Sequence, residues 1–271
     1  MDEARLRKLI AGNYFITHLE VHERLDSTNS RALELAVEGA AEGAVVVADY
    51  QSAGRGRRGR SWIAPAGSSL LFTVLLRPGP ELSAGPATFA VGVAACEVVR
   101  NLGCAAGLKW PNDLVVEDRK LAGMLTEVVP RPPGFGRGWR ADQPAPVWPA
   151  LAVGFGLNVD MDVAELPEEV AEQATSLGAL DVRVEREALL ADILAELGEV
   201  YRAAMLPGGG HALMDSYRAR SATIGRRVRV ETNERVVEGL AEAVDEEGAL
   251  VMRDGEGKSH RFISADVVHL R

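Results

Sequence analysis

Helical and strand patterns are mixed along residues 1–222, and only short strands follow over 223–271. This predicts an α+β protein with one large domain and a small C-terminal β-barrel. The length agrees, since 271 residues allow one large domain plus an appendage at roughly 100–200 residues per domain. The last 48 residues or so (224–271) are too few to be comfortable alone, so they are expected to dock on the main domain.

The elements are read in order as follows. Residues 2–10 are expected to form a short helix and Tyr14–Leu19 an apolar strand. Asp26 or Ser27 can cap the next helix, SRALELAVEGA, whose apolar residues fall at helical spacing and which stops at Gly39. AVVVADY (44–50) is short and β-branched, hence a buried strand. SLLFTVLLR (69–77) is the next, stopped by Pro78-Gly79-Pro80, and 83–103 reads as a long core helix. LKWPNDLVV (108–116) and KLAGMLTEVV (120–129) read as a hairpin closed at Asp118-Arg119. Residues 130–149 are rich in Pro, Gly and Arg without periodicity, which predicts a long mobile loop, either a cover for a site or an inert insertion. ALAVGFGLNV (150–159) resumes as a strand, and AELPEEVAEQAT, REALLADILAELGEVYRAAM and HALMDSYRARS give three helical patterns. Beyond Thr223, GRRVRVE, RVVEGLAEAV, ALVMRD and SHRFISADVVHL are short strands between turn residues.

Composition excludes several functions. No run approaches the ~18 apolar residues of a membrane span. The N-terminus is charged from residue 2 and lacks the apolar core of a signal peptide. Cys96 and Cys104 cannot make a disulfide framework or a cysteine zinc site. They are expected to share a helix, too far apart for a bridge, as small core residues of a cytoplasmic protein. Thirty Lys+Arg against 39 Asp+Glu give a net charge of −9, which argues against general nucleic-acid binding. Against that average, GRGRRGR (54–60) holds four arginines in seven positions.

Gly54, Gly56 and Gly59 spell G-x-G-x-x-G, the dinucleotide fingerprint, but the context rejects it. That fingerprint opens a helix, whereas SWIAPAGSS contains Pro65 and Gly67 and leads into a strand. The run has two readings: an anion-binding loop of glycines and guanidinium forks, mobile until neutralised, or a solvated basic patch, including one that binds RNA. Trp62 is a stacking face for a base or a core residue. Lys120 leads an apolar strand, where its ammonium needs water or an anion. Gly154 and Gly156 mark close approach of a ligand to a strand, or a bulge. Asn112-Asp113 is a turn or a polar site. None of the five histidines lies in these segments, and no Ser-His-Asp or Cys-His arrangement competes.

STN (27–29), YQSAGRGRRGRSW (50–62), KWPNDL (109–114), RKLAGML (119–125) and GFGLNV (154–159) occur in this order. Together they closely resemble the motifs of biotin protein ligases, from about residue 20 to the end. The related lipoate ligases lack the GRGRRG and KWPND pair, so a lipoate or octanoate ligase or transferase is the alternative, and an arginine-loop nucleic-acid module a more distant one.

The resemblance implies a class II synthetase-like catalytic domain (1–222) with a mixed, largely antiparallel sheet, and an SH3-like barrel (223–271). It implies that biotin and ATP form biotinoyl-5′-AMP. The biotin then passes to one lysine of a biotin carboxyl carrier domain of acetyl-CoA carboxylase or a related carboxylase. Mg²⁺ would accompany ATP, with no tightly bound prosthetic group, and a homodimer is compatible. Ser27, Thr28, Asn29 and Gln51 match the polar end of the biotin site. Gly54, Arg55, Gly56, Arg57 and Arg58 match the adenylate loop, with Arg55 and Arg57 on the carboxylate and phosphates. Trp62 matches the wall beside adenine, and Lys120 would bridge carboxylate and α-phosphate as the main catalytic residue. Gly123, Gly154 and Gly156 would line biotin and the nucleotide. Asn112 and Asn158 would lie near ATP and Asp113 near Mg²⁺. Some members carry an N-terminal winged helix-turn-helix and act as repressors. The 26 residues before STN are too few for one, so the monofunctional form without repressor function is expected.

Overall fold

The computed structural model describes residues 1–79, 82–129, 150–162, 164, 166–232 and 234–270. Seven strands form one sheet: β1 His18–Leu25, β2 Ala44–Gln51, β3 Ser69–Leu76, β4 Ala106–Lys109, β5 Asp113–Val116, β6 Arg119–Val128 and β7 Leu151–Asn158. Their order is β1-β2-β3-β7-β6-β5-β4, parallel between β1 and β2 and antiparallel elsewhere. The expected mixed, largely antiparallel sheet is present. All eight residues of β3 and of β7 are buried, because both faces of the sheet are covered.

The two faces differ by strand parity. On one, Val45, Val47, Val74 and Val153 share a core with α3 Ala84–Asn101, α5 Arg186–Ala204 and α6 Gly209–Ala219. On the other, Val46, Leu75 and Ala152 pack under Ala32, Leu35 and Ala36 of α2 Thr28–Val37. The register places Thr73, Gly154, Gly156, Gly123, Leu125 and Glu127 on this second face, so the functional glycines open beside the start of α2.

A five-stranded antiparallel sheet follows, in the order β11-β10-β9-β8-β12: β8 Arg227–Glu231, β9 Val236–Val244, β10 Leu250–Asp254, β11 Ser259–Phe262 and β12 Asp266–His269. Its apolar residues Val228, Ala241, Leu250 and Met252 join the main core, so it docks as expected. Fully buried Trp110 ties the two parts. Its Nε1 donates to Gly248 O (2.9 Å) and its backbone N to Thr223 Oγ1 (3.0 Å).

Five expectations change. The strand drawn over Tyr14–Leu19 begins only at His18; Asn13 Oδ1 accepts from Phe15 N (3.0 Å), turning the chain there. Residues 108–116 are not one strand. The Trp110–Pro111 bond is cis, and β4 and β5 pair with each other across it, so β6 is a third strand. The β5–β6 turn lies at Glu117-Asp118, both with positive φ (50° and 62°), rather than at Asp118-Arg119. Of the helix expected over 164–175, the α-helical part among the described residues is Glu168–Ala171 (α4, after Pro167). Residues 173–175 pair instead with β6, through Lys120 N to Gln173 O (2.6 Å) and Thr175 N to Lys120 O (2.9 Å). Cys104 lies past the end of α3, beyond Gly103 (φ 91°), so it does not share a helix with Cys96; both are buried and unbridged. The 130–149 loop lies outside the described residues. No helix among those described is long and apolar enough to cross a membrane.

On β1, Glu20 accepts both forks of Arg31 (2.9 and 3.0 Å) and faces His18 and His22. The Arg31 guanidinium holds the Glu20 carboxyl at about 2. A depressed pKa stabilises the fold above the unfolded value of 4.5, and this contribution fades as pH falls towards 2. Glu20→Gln is therefore expected to lower the melting midpoint at pH 7, with the gap closing between pH 4.5 and 2. An equal gap at every pH in melts across that range would contradict the assignment.

Candidate active site

A cavity of about 620 Å³ opens on the α2 face, between the start of α2, the arginine loop, β6, β7 and the strap after β7. Of the predicted site residues, Ser27, Thr28, Asn29, Gln51, Arg55, Gly56, Arg57, Trp62, Asn112, Asp113, Lys120, Gly123, Gly154, Gly156 and Asn158 line it. Gly54 and Arg58 do not. A Cβ on Gly54 would lie 2.6 Å from Trp62 O, so its bareness serves the loop's own closure.

The polar end is built by the first turn of α2. Ser27, Thr28 and Asn29 are buried, so their polar groups need partners. Thr28 donates through N (2.7 Å) and Oγ1 (3.0 Å) to Gln51 Oε1. Thr73 Oγ1 lies 2.6 Å from Asn29 Oδ1 and 2.8 Å from Thr28 Oγ1. Asn29 Nδ2 donates to Leu125 O (3.1 Å) and Glu127 Oε2 (2.8 Å). Thr73 and Glu127 escaped the sequence reading. Thr73 had a signal, as a hydroxyl in the otherwise apolar run LLFTVLL.

The arginine run opens no helix, which upholds rejection of the dinucleotide fingerprint. It forms a 3-10 turn at Arg57–Gly59, with Arg58 at φ 54°, closed by a bridge between Arg55 and Ser61. The loop expected to wait for a neutralising anion already finds partners for all four arginines within the protein, Arg58 and Arg60 sharing one carboxylate. Arg55 donates to Glu127 (2.7 Å) and Ser30 (2.9 Å). Arg57 donates to Asn112 Oδ1 (3.2 Å), Ala265 O (3.2 Å) and Ser264 Oγ (2.6 Å). Arg58 and Arg60 both pair with Asp266 (3.1 and 2.7 Å). Arg58 thus points to the C-terminal sheet rather than into the cavity.

At the other end, Lys120 Nζ pairs with Asp113 Oδ1 (2.7 Å) and stands 5.5 Å from the centre of the Trp62 ring. A Cβ on Gly156 would lie 2.6 Å from that ring, and one on Gly123 2.9 Å from Lys120 Cε. The strand glycines therefore admit the protein's own Trp62, Lys120 and Asn29, which in turn shape the cavity. Trp62 Nε1, Asn158 Oδ1 and Thr175 Oγ1 are buried without hydrogen-bond partners among the described residues. Lys109, the first residue of KWPNDL, is a further cation of the site. It lines the cavity with no ion pair or hydrogen bond from its side chain among the described residues, and burial pulls its pKa down.

Such a site suits two anions held side by side: cations at its mouth and floor, a polar end, an aromatic wall, and no histidine in its lining. Among the described residues no three His, Cys, Asp or Glu cluster to hold a metal ion by themselves. Asp113, with a buried Oδ1 answered only by Lys120, fits a hard cation that arrives on phosphates, since such ions take one or two carboxylates and keep other oxygen ligands.

Residues 21–136 match the Biotin/lipoate A/B protein ligase family and residues 223–270 the Biotin protein ligase C terminal domain. The biotin–[acetyl-CoA-carboxylase] ligase of Mycobacterium tuberculosis is 36% identical, over 100% of this chain and 96% of that protein. The bifunctional ligase/repressor BirA of Escherichia coli is 32% identical, over 85% of this chain and 68% of that one. A solved biotin protein ligase from Aquifex aeolicus, in complex with biotin and ATP, superposes with a TM-score of 0.75 at 24% identity, covering 94% of this chain and 100% of that one, which shows the same fold. Fold and site thus define the class of biotin and lipoate ligases. Within that class, the chain belongs to the biotin protein ligase family.

Proposed function

We infer that this protein is a biotin protein ligase, which joins biotin and ATP into biotinoyl-5′-AMP and passes biotin to a lysine of a carboxylase's biotin carrier domain. The carrying observation is one cavity that unites the polar end at Thr28, Asn29 and Gln51 with Arg55, Arg57 and Lys120. The ureido ring lies at the polar end, where amide and hydroxyl groups can answer its N–H and C=O. In the first step a biotin carboxylate oxygen bonds to the α-phosphorus, and the bond from that phosphorus to pyrophosphate breaks. In the second, the carrier amine bonds to the acyl carbon, AMP departs with the bridging oxygen, and the amine loses a proton. Neither step needs a nucleophile from the protein, whose part is positioning and charge neutralisation.

Lys120 reaches the carboxylate and α-phosphate, Arg57 beside Asn112 holds the anions at the mouth, Lys109 receives the outer phosphates, and Arg55, tied to Ser30 and Glu127, closes the polar end instead of reaching the phosphates. Trp62 and Asn158 border the adenine. Asp113 holds Mg²⁺ carried by ATP, which supplies charge neutralisation at the phosphates. The catalytic unit spans 1–222 and the barrel 223–271; Ser264, Ala265 and Asp266 make the barrel part of the loop's seat.

The test is incubation with biotin, MgATP and a carrier domain, followed by a streptavidin blot. ATP-dependent labelling is expected, and its absence on a competent carrier would overturn the reading. Lipoate in place of biotin should release no pyrophosphate. Arg57→Gly removes three hydrogen bonds that seat the loop, so reactive adenylate is expected to escape and label bystander lysines. Labelling confined to the carrier would show that Arg57 does not retain the intermediate.

A further inference from the structure

We propose that Glu127 is a positioning residue that fixes Arg55 beside Asn29 at the polar end of the biotin site; this rests on the biotin-ligase reading. Glu127 does not itself line the cavity. It stands on the site face of β6, two residues beyond Leu125, behind Arg55. One carboxylate oxygen, Oε2, accepts from Asn29 Nδ2 (2.8 Å) and from Arg55 Nη2 (2.7 Å). Asn29 is buried and is itself held by Thr73 and Leu125 O. The carboxylate is therefore braced from the interior and pulls on a guanidinium at the surface.

That brace changes what the ion pair does. An exposed pair of long side chains is worth little, because ordering them costs as much as they gain. Here the buried network has already ordered one partner. With Ser30 Oγ on Nη1, Arg55 is held at two nitrogens of its fork, and a guanidinium's remaining donors stay available to an anion. Simple electrostatics argues the opposite role. Biotin carries a negative charge, so a further carboxylate near its site opposes binding, and Glu127 earns its place only through the orientation it imposes on Arg55.

The two accounts predict opposite signs. Glu127→Gln keeps the shape and one acceptor but loses the charge-assisted contact. It is expected to raise KM for biotin about tenfold, the range of one such hydrogen bond, with KM for ATP unchanged within about twofold. Glu127→Asp keeps the charge but draws it back by one methylene, and should be impaired to a similar degree. In an Arg55→Ala background, Glu127→Gln should change KM for biotin by less than about twofold, as coupled residues do. Tighter biotin binding in Glu127→Gln, wild-type behaviour of Glu127→Asp, or an equal factor in both backgrounds would overturn the proposal. If the unaltered protein fails to consume ATP with biotin, the biotin-ligase reading fails instead.

Discussion

Lys120→Ala should cut the rate of adenylate formation by about 10²–10³-fold, the scale of losing one preorganised charge at a developing anion. Lys120 is poised at the first residues of β6, where both its N–H and its C=O are hydrogen-bonded to residues 173–175. Its ammonium is shared between Asp113 and the Trp62 face, so it is held in place before any substrate arrives. The fold should survive. The Lys120 side chain is 38% exposed, so truncating it opens the Asp113 carboxyl to solvent. Pyrophosphate release in a single turnover, with far-ultraviolet circular dichroism as the control, would measure this. Near-normal release would refute the role given to Lys120.

Gly154→Ala is expected to weaken biotin binding at least tenfold and to cost about 1–3 kcal/mol of stability, the range for overpacking a close-packed site. A Cβ there would overlap Asn29 Oδ1. Asn29 would have to swing away from Thr73, Leu125 O and Glu127 together, since all three contacts depend on one side-chain orientation. Gly255→Ala is the control, because a Cβ at that position meets nothing within 4 Å. Biotin titration calorimetry and thermal melts of the two variants should separate them. A Gly154→Ala protein that binds and melts like the control would mean that Asn29 is not confined as described.

The sequence made most of the sheet legible, because β2, β3 and β7 are unbroken apolar or β-branched runs buried on both faces. Its errors fell where tertiary pairing overrode local pattern. The run around Trp110-Pro111 looks like strand, but proline cannot donate to a ladder, and the chain folds back there. Residues 164–175 carry helical spacing, yet their last residues find better partners on β6. In the site, the motif residues were legible because their types are unusual for their settings. Glu127 was not, since a glutamate near a strand end has many surface roles, and its function lies in contacts with Asn29 and Arg55, 98 and 72 residues away. The arginine loop was misread for the same reason. Its neutralising groups are distant in the chain, Glu127 lying 72 residues from Arg55 and Asp266 some 206–208 from Arg60 and Arg58.

That separation has a consequence for biosynthesis. A ribosome makes residues 54–60 long before Ser264, Ala265 and Asp266, so a nascent chain can fold much of its seven-stranded sheet while the arginine loop still lacks its seat. The order of translation thereby delays a competent site until the last strand, β12, has emerged. Fragments released early would hold the biotin end of the cavity without the loop's anchor, unable to guard a reactive acyl group.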